Sequence, residues 1–197
     1  MRTITRTYDL FQLAELSAAA RDTAYNEWLR TFEYGWESDN RNTLEAFESV
    51  FKVKVNDWSY DTCRYSYRFT SRYSGEEEEL CGIRLLKYIV NNYWHTLFKP
   101  RTYYLKGNYK KRRKSRVFTD NCCVLTGYCA DEDILRPIYD FLKAPDNTTL
   151  YELMNKCLNG FFKACRDDME YQLSEEAFAE SCEANNYEFL SDGTLFN

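Results

Sequence analysis

Hydrophobic and polar positions along the chain change period several times, and each change predicts an element. In residues 2–9, Ile4 and Tyr8 share one face with threonines between them, which predicts a first strand. Ser17 reads as a helix N-cap with Leu16 as its staple residue. Ala20, Ala24, Trp28 and Phe32 then recur every four residues, an amphipathic helix ending near Gly35. A second helix starts at Ser38 or Asp39 and carries Leu44, Phe47, Val50 and Phe51 on one side. From Val53 and Val55 to Tyr65, Tyr67 and Phe69 the period falls to two, predicting antiparallel strands joined near residues 58–62. Four glutamates, Glu76 to Glu79, open a long central helix with Leu80, Ile83, Leu86, Val90, Trp94 and Leu97 on one face, Leu85 and Ile89 elsewhere round its axis and Pro100 at its end, so a largely buried helix is expected.

Residues 102–105 resume β character before Gly107, and Val117-Phe118 and residues 122–125 are again strand-like. Asp131 or Asp133 caps the next helix, which bears Ile134, Leu135, Ile138, Phe141 and Leu142, with Pro137 placed near its first turn. Thr149 and Glu152 form a capping-box pair. Leu150, Leu153, Met154, Cys157, Leu158, Phe161, Phe162, Cys165 and Met169 follow at helical spacing. Ser174 caps a short helix to about Ala184, and residues 187–196 read as a closing hairpin turning at Asp192-Gly193. The β segments come in hairpin-sized pairs among the helices. This predicts an α+β fold: antiparallel hairpins packed with several helices, including a long central and a long C-terminal one. The expected organisation is one domain over residues 1–197, with lobes 1–99 and 100–197 as the alternative.

Composition narrows the class. With 44% hydrophobic and 17% aromatic residues, seven glycines and three prolines, the 197-residue chain can bury a core and is not of disordered type. No apolar run approaches the roughly 20 residues that span a bilayer, and residues 1–6 lack the apolar core of a signal peptide. The expectation is a soluble, cytoplasmic protein with no membrane partner. Eight cysteines are scattered without a Cys-x-x-Cys pair, and His95 is the only histidine, so reduced thiols are expected rather than a zinc site.

Charge changes the picture more. The net charge is −5, yet residues 101–118 carry eight basic and no acidic residues, while residues 119–197 carry sixteen acidic against five basic. Tyr109, Lys110, Lys111, Arg112, Arg113, Lys114 and Arg116 fall between two β segments, so a protruding hairpin tip is expected. There they can neutralise phosphates, with Tyr103, Tyr104 and Tyr109 near enough to stack on bases. The plainer alternative is a solvated loop. On the acidic side Asp167, Asp168, Glu170, Glu175, Glu176, Glu180 and Glu183 lie along helices and can imitate a phosphate backbone before a basic groove, or simply solvate a helix face.

Catalytic signatures are missing. There is no phosphate-binding loop, dinucleotide fingerprint, His-Glu-x-x-His or Gly-x-Ser-x-Gly, and none implies a cofactor. His95 has a side chain suited to general-base work but sits on a helix among Tyr93, Trp94 and Leu97, where a structural histidine is expected. The clusters Asp131-Glu132-Asp133 and Asp167-Asp168 with Glu170 have the chemistry of a Mg²⁺ site. A helix N-terminus and a solvated helix face are the plainer account and the one expected. The expected protein is not an enzyme, and an unrecognised carboxylate–metal site is the residual alternative.

Leu16-Ser17-Ala18-Ala19-Ala20 leading to Ala24 and Trp28, Leu125-Thr126-Gly127-Tyr128 with Asp131 and Ile134-Leu135, and Asn186-Tyr187-Glu188-Phe189 with Asp192-Gly193 resemble a family of small phage- and prophage-encoded proteins. Many of its members follow the Trp58-Ser59 position with a glycine-rich stretch; Tyr60-Asp61-Thr62-Cys63-Arg64 stands here instead, so no role of that loop is carried over. The resemblance implies an accessory protein of a mobile element that inhibits host defence. In general character the chain is similar to anti-CRISPR proteins that bind a Cas9-type nuclease, its guide RNA or its target DNA. A stand-alone nucleic-acid-binding module using the basic hairpin is the alternative.

Overall fold

In the computed structural model residues 2–4, 6–98, 100–105, 108–118 and 123–196 are described, with 100–105 and 108–118 as backbone alone. The elements are a 3₁₀ turn (Leu13–Glu15), α1 (Ala18–Thr31), α2 (Glu37–Val50), β1 (Val53–Tyr60), β2 (Tyr65–Ser71), α3 (Gly75–Glu78), α4 (Gly82–Leu97), β3 (Pro100–Leu105), β4 (Asn108–Phe118), α5 (Ala130–Lys143), α6 (Leu150–Gln172) and α7 (Glu175–Asn185). The fold is α+β. Among the described residues, no helix is long and apolar enough to cross a membrane. The chain divides into a terminal unit, Met1–Gly35 with Asp168–Asn197, and a central unit, Trp36–Asp167.

The core of the central unit is built on α6, whose Leu153, Cys157, Leu158, Phe161 and Phe162 are buried. The β1–β2 hairpin packs on it through Trp58 and Tyr67, whose rings lie 5.9 and 5.1 Å from that of Phe162. A bulge between Val55 and Asp57 makes this possible. It shifts the alternation by one residue, so that odd-numbered Val53 and Val55 and even-numbered Trp58 and Tyr60 all reach the core. The strands continue through Tyr60, and the turn is at residues 61–64, where the Asp61 carboxylate accepts the Cys63 and Arg64 N–H groups.

The expected long central helix is broken. Gly82 has φ +56°, its N–H donates to the Asp146 carbonyl, and the Leu80 carbonyl accepts from Leu150 N–H; these backbone groups hold the 146–150 loop instead of extending a helix. The break also resets the rotational phase of α4. Its buried residues are Leu85, Ile89, Tyr93 and Leu97, whereas Ile83, expected in the core, is 61% exposed. Pro137 lies in the middle of α5 and not in its first turn. With no N–H it leaves the Asp133 carbonyl without its helical donor, and Gly160 of α6 sits so close that a Cβ there would be 3.2 Å from that oxygen.

Three other expectations change. Residues 2–4 and 6–10 form no strand; Phe11 alone bridges to Phe189. Residues 123–128 are loop rather than strand, and the N–H groups of Leu125, Thr126 and Gly127 turn inward onto Asp131. The basic block lies within β4 and not at a hairpin tip: Arg112, Arg113 and Lys114 pair with Tyr104, Tyr103 and Thr102, and the register slips between Tyr104 and Leu105. The expected turn at Gly107 and the strand start at Cys122 lie outside the described residues, as does Lys99 of the alternative lobe boundary.

Glu77 links α3 to the hairpin and to α4. It accepts from Ser74 N–H (2.8 Å), Tyr88 hydroxyl (2.8 Å) and Lys52 Nζ (3.0 Å), and these donors hold its carboxyl at about 2, against an ordinary 4.5. The native state therefore binds fewer protons than the unfolded one. The stability so contributed is complete above about pH 4.5 and is lost as the pH falls through about 2. Glu77→Gln is expected to flatten this acid limb, read as urea midpoints at about pH 6, 4 and 2.5; equal slopes for both proteins would remove Glu77 from the account.

The terminal unit has its own core of Leu16, Ala20, Ala24, Phe178, Cys182 and Phe189. Ser17 caps α1 through Ala20 N–H and Ser174 caps α7 through Ala177 N–H, as the sequence predicts. Phe178 packs between Tyr25 and Trp28, at ring distances of 5.6 and 5.3 Å. The closing turn is present as Leu190 N–H to Thr194 C=O and Gly193 N–H to Leu190 C=O, with single bridges in place of continuous strands.

Candidate functional site

Charge follows the two units. The terminal unit carries thirteen acidic and four basic residues, net −9, and the central unit eighteen and 22, net +4. From Asp168 to the last residue there is no lysine or arginine. The helices display this charge because apolar residues of α7, Phe178 and Cys182, take the buried side and leave Glu175, Glu176, Glu180 and Glu183 exposed.

The acidic residues singled out from sequence are not equivalent. Asp167 belongs to the central unit and is paired with Arg166. Asp168 accepts from the Tyr34 hydroxyl at 2.6 Å. Glu180 accepts from the Tyr171 hydroxyl at 2.8 Å, a bond that pushes the tyrosine pKa up. Glu170, Glu175 and Glu176 are exposed. Glu175 and Glu183 also line a cavity of about 530 Å³ with Gln12, Leu13, Asp22, Tyr25 and Ala179. Sequence reading missed the α1 side of this cavity. Its only signal there was Arg21 and Tyr25 one turn apart beside the alanine stripe.

The basic candidates Lys110, Lys111, Arg112, Arg113, Lys114 and Arg116, with Tyr109, are gathered on β4 by its pairing with β3. Their side chains lie outside the described residues.

The carboxylates considered for a metal are separated. Asp131 is fully buried, and its Oδ2 accepts from Leu125, Thr126 and Gly127 N–H at 2.7 to 3.0 Å, while Oδ1 accepts from the Thr126 and Thr43 hydroxyls. Glu132 pairs with Arg136 on the surface. Asp133 is partly buried, which raises its pKa. Among the described residues no group of three or more His, Cys, Asp or Glu side chains is placed to hold a metal ion. His95 is exposed on α4. Cys157, Cys165 and Cys182 are buried, and burial pushes the Cys157 thiol well above its ordinary range.

Comparison with known proteins finds no match to the chain, whether among protein-family models, curated proteins or solved structures. Two charged features stand out among the described residues: an acidic helical unit with a cavity, and a β-hairpin whose second strand carries the basic block.

Proposed function

We propose that the protein is a non-catalytic inhibitor encoded by a phage or other mobile element, whose acidic terminal unit occupies a basic nucleic-acid-binding surface of a partner. A Cas9-type effector nuclease is the first partner to test. One observation carries the reading: the terminal unit has thirteen acidic residues to four basic, with no lysine or arginine from residue 168 onward. Carboxylates fixed on helices present the sign of charge that a phosphate backbone presents. Complementary charge speeds encounter and rejects acidic competitors. Effectors of this class hold their heteroduplex in a positively charged channel, the kind of surface such a unit fits.

A second reading rests on β4. Six basic residues within one eleven-residue strand can bind guide RNA or target DNA through phosphates, with counterion release supplying the affinity. One experiment separates the two: capture of a guide-loaded effector by the tagged protein, with and without nuclease treatment, at low and high salt. Capture that survives nuclease and weakens with salt is expected of the acidic unit. Capture that nuclease abolishes, and that neutral replacement of residues 110–114 also abolishes, would transfer the role to the hairpin. No capture under either condition sinks the proposed partner.

A further inference from the structure

The cavity of the terminal unit is a groove between the 3₁₀ turn and α1 on one side and α7 on the other. Its lining is amphipathic. Leu13, Tyr25 and Phe178 are apolar or aromatic, and Asp22, Glu175 and Glu183 supply carboxylates. Among the described residues Arg21 is the one cation that lines it, and two of its donors are engaged by backbone: Nε donates to the Leu16 carbonyl at 3.1 Å and Nη2 to that of Ala14 at 2.9 Å. The groove is therefore suited to an occupant that is cationic and apolar at once.

Spacing narrows that occupant. Glu175 and Glu183 are eight residues apart on α7, about 12 Å along the axis, and Ala179 lies midway, where its small side chain leaves the groove open. An extended peptide rises about 3.3 Å per residue, so residues i and i+4 span nearly the same distance. In that conformation i, i+2 and i+4 share a face. We infer that this groove binds an extended segment of a partner protein with Lys or Arg at i and i+4 and an apolar residue at i+2, the cations meeting Glu183 and Glu175 and the apolar side chain lying over Ala179 and Phe178. The inference rests on the reading that the acidic unit meets a basic protein surface, and it names the element that is read.

The test is fluorescence anisotropy of the full chain with the labelled peptide Gly-Ser-Lys-Ser-Leu-Ser-Lys-Ser-Gly, and with a same-composition control in which the lysines are adjacent. Glu175→Gln with Glu183→Gln is expected to weaken binding at least about tenfold, and Ala179→Trp, which fills the groove while keeping every charge, by a similar factor. Glu170→Gln with Glu188→Gln, which removes the same charge elsewhere on the unit, is expected to change it less than about twofold. All these positions are exposed, so the fold is retained. Equal losses in the two double variants, an unaffected Ala179→Trp, equal affinity for the control peptide or no binding at low salt would each overturn the groove. So would self-association at low salt that the peptide displaces, which would make a second copy the occupant. Peptide binding without effector capture would overturn the partner proposed above and leave the groove standing; effector capture without peptide binding would do the reverse.

Discussion

Replacing Asp131 by alanine is expected to cost the central unit roughly 3–5 kcal/mol, a large part of the stability of any domain. The carboxylate is fully buried and serves five donors: three consecutive N–H groups of the 125–127 segment and the hydroxyls of Thr126 and Thr43. Alanine leaves the N–H groups facing a void that no other described acceptor fills, so the desolvation of each is uncompensated. The substitution Asp131→Asn is a sharper probe. The amide oxygen it introduces can keep the three N–H bonds, and the Thr43 and Thr126 hydroxyls, 3.2 Å apart, can turn to accept from the new NH₂. What is lost is the strengthening that a charged acceptor gives, so about half the alanine penalty is expected. Urea unfolding of the two variants, with Thr43→Val in a double-mutant cycle, measures this order. An asparagine variant as unstable as the alanine one would show that charge, and not acceptor geometry, secures the loop.

The same residue shows where sequence reading stops. Asp131 was legible as a helix-start carboxylate, but α5 begins at Ala130 with Cys129 at its N-cap and no side-chain cap, so Asp131 stands in the first turn and does not cap it. Its actual use reaches backward to a segment whose Val124 and Leu125 look like a strand, and sideways to Thr43 of α2, 88 residues away. Caps and hydrophobic periods are local, and so α1, α2, α6, α7 and the β1–β2 hairpin were readable from them. The break at Gly82 was not, because its cause is the 146–150 loop, and that break sets Leu85, Ile89, Tyr93 and Leu97 as the buried face of α4. The same limit applies to the groove. The glutamates of α7 were visible as charge, but the α1 side comes from residues such as Tyr25, whose hydroxyl bonds to the Leu173 carbonyl 148 positions further along. Charge composition shows the basic block, yet it could not distinguish a strand from a tip, since lysine and arginine tolerate both.

Gly193→Ala is expected to destabilise the terminal unit by roughly 3 kcal/mol or more while leaving the central unit's core intact. Two costs coincide at this position. Gly193 has φ +91°, where an alanine is strained by about 1–2 kcal/mol. A Cβ there would also lie 2.1 Å from the Ala20 carbonyl oxygen and 2.9 Å from its carbon, and these are backbone atoms of α1 that cannot rotate aside as a side chain would. The closing turn must then lift away from α1. That removes the Gly193 N–H to Leu190 C=O bond and loosens Phe189, which is 2% exposed and part of the small core on which α7 also rests. Hydrogen exchange resolves the expectation by segment: amides of residues 178–196 should exchange faster, and those of α4 and α6 up to Asp167 should not. Gly35→Ala is the matched control, because a Cβ at Gly35 meets nothing within 4 Å, and a change of less than about 0.5 kcal/mol is expected there. If the groove between α1 and α7 is the recognition element, Gly193→Ala should also weaken the lysine peptide while Gly35→Ala does not. Faster exchange spreading equally through both units would mean that they unfold as one.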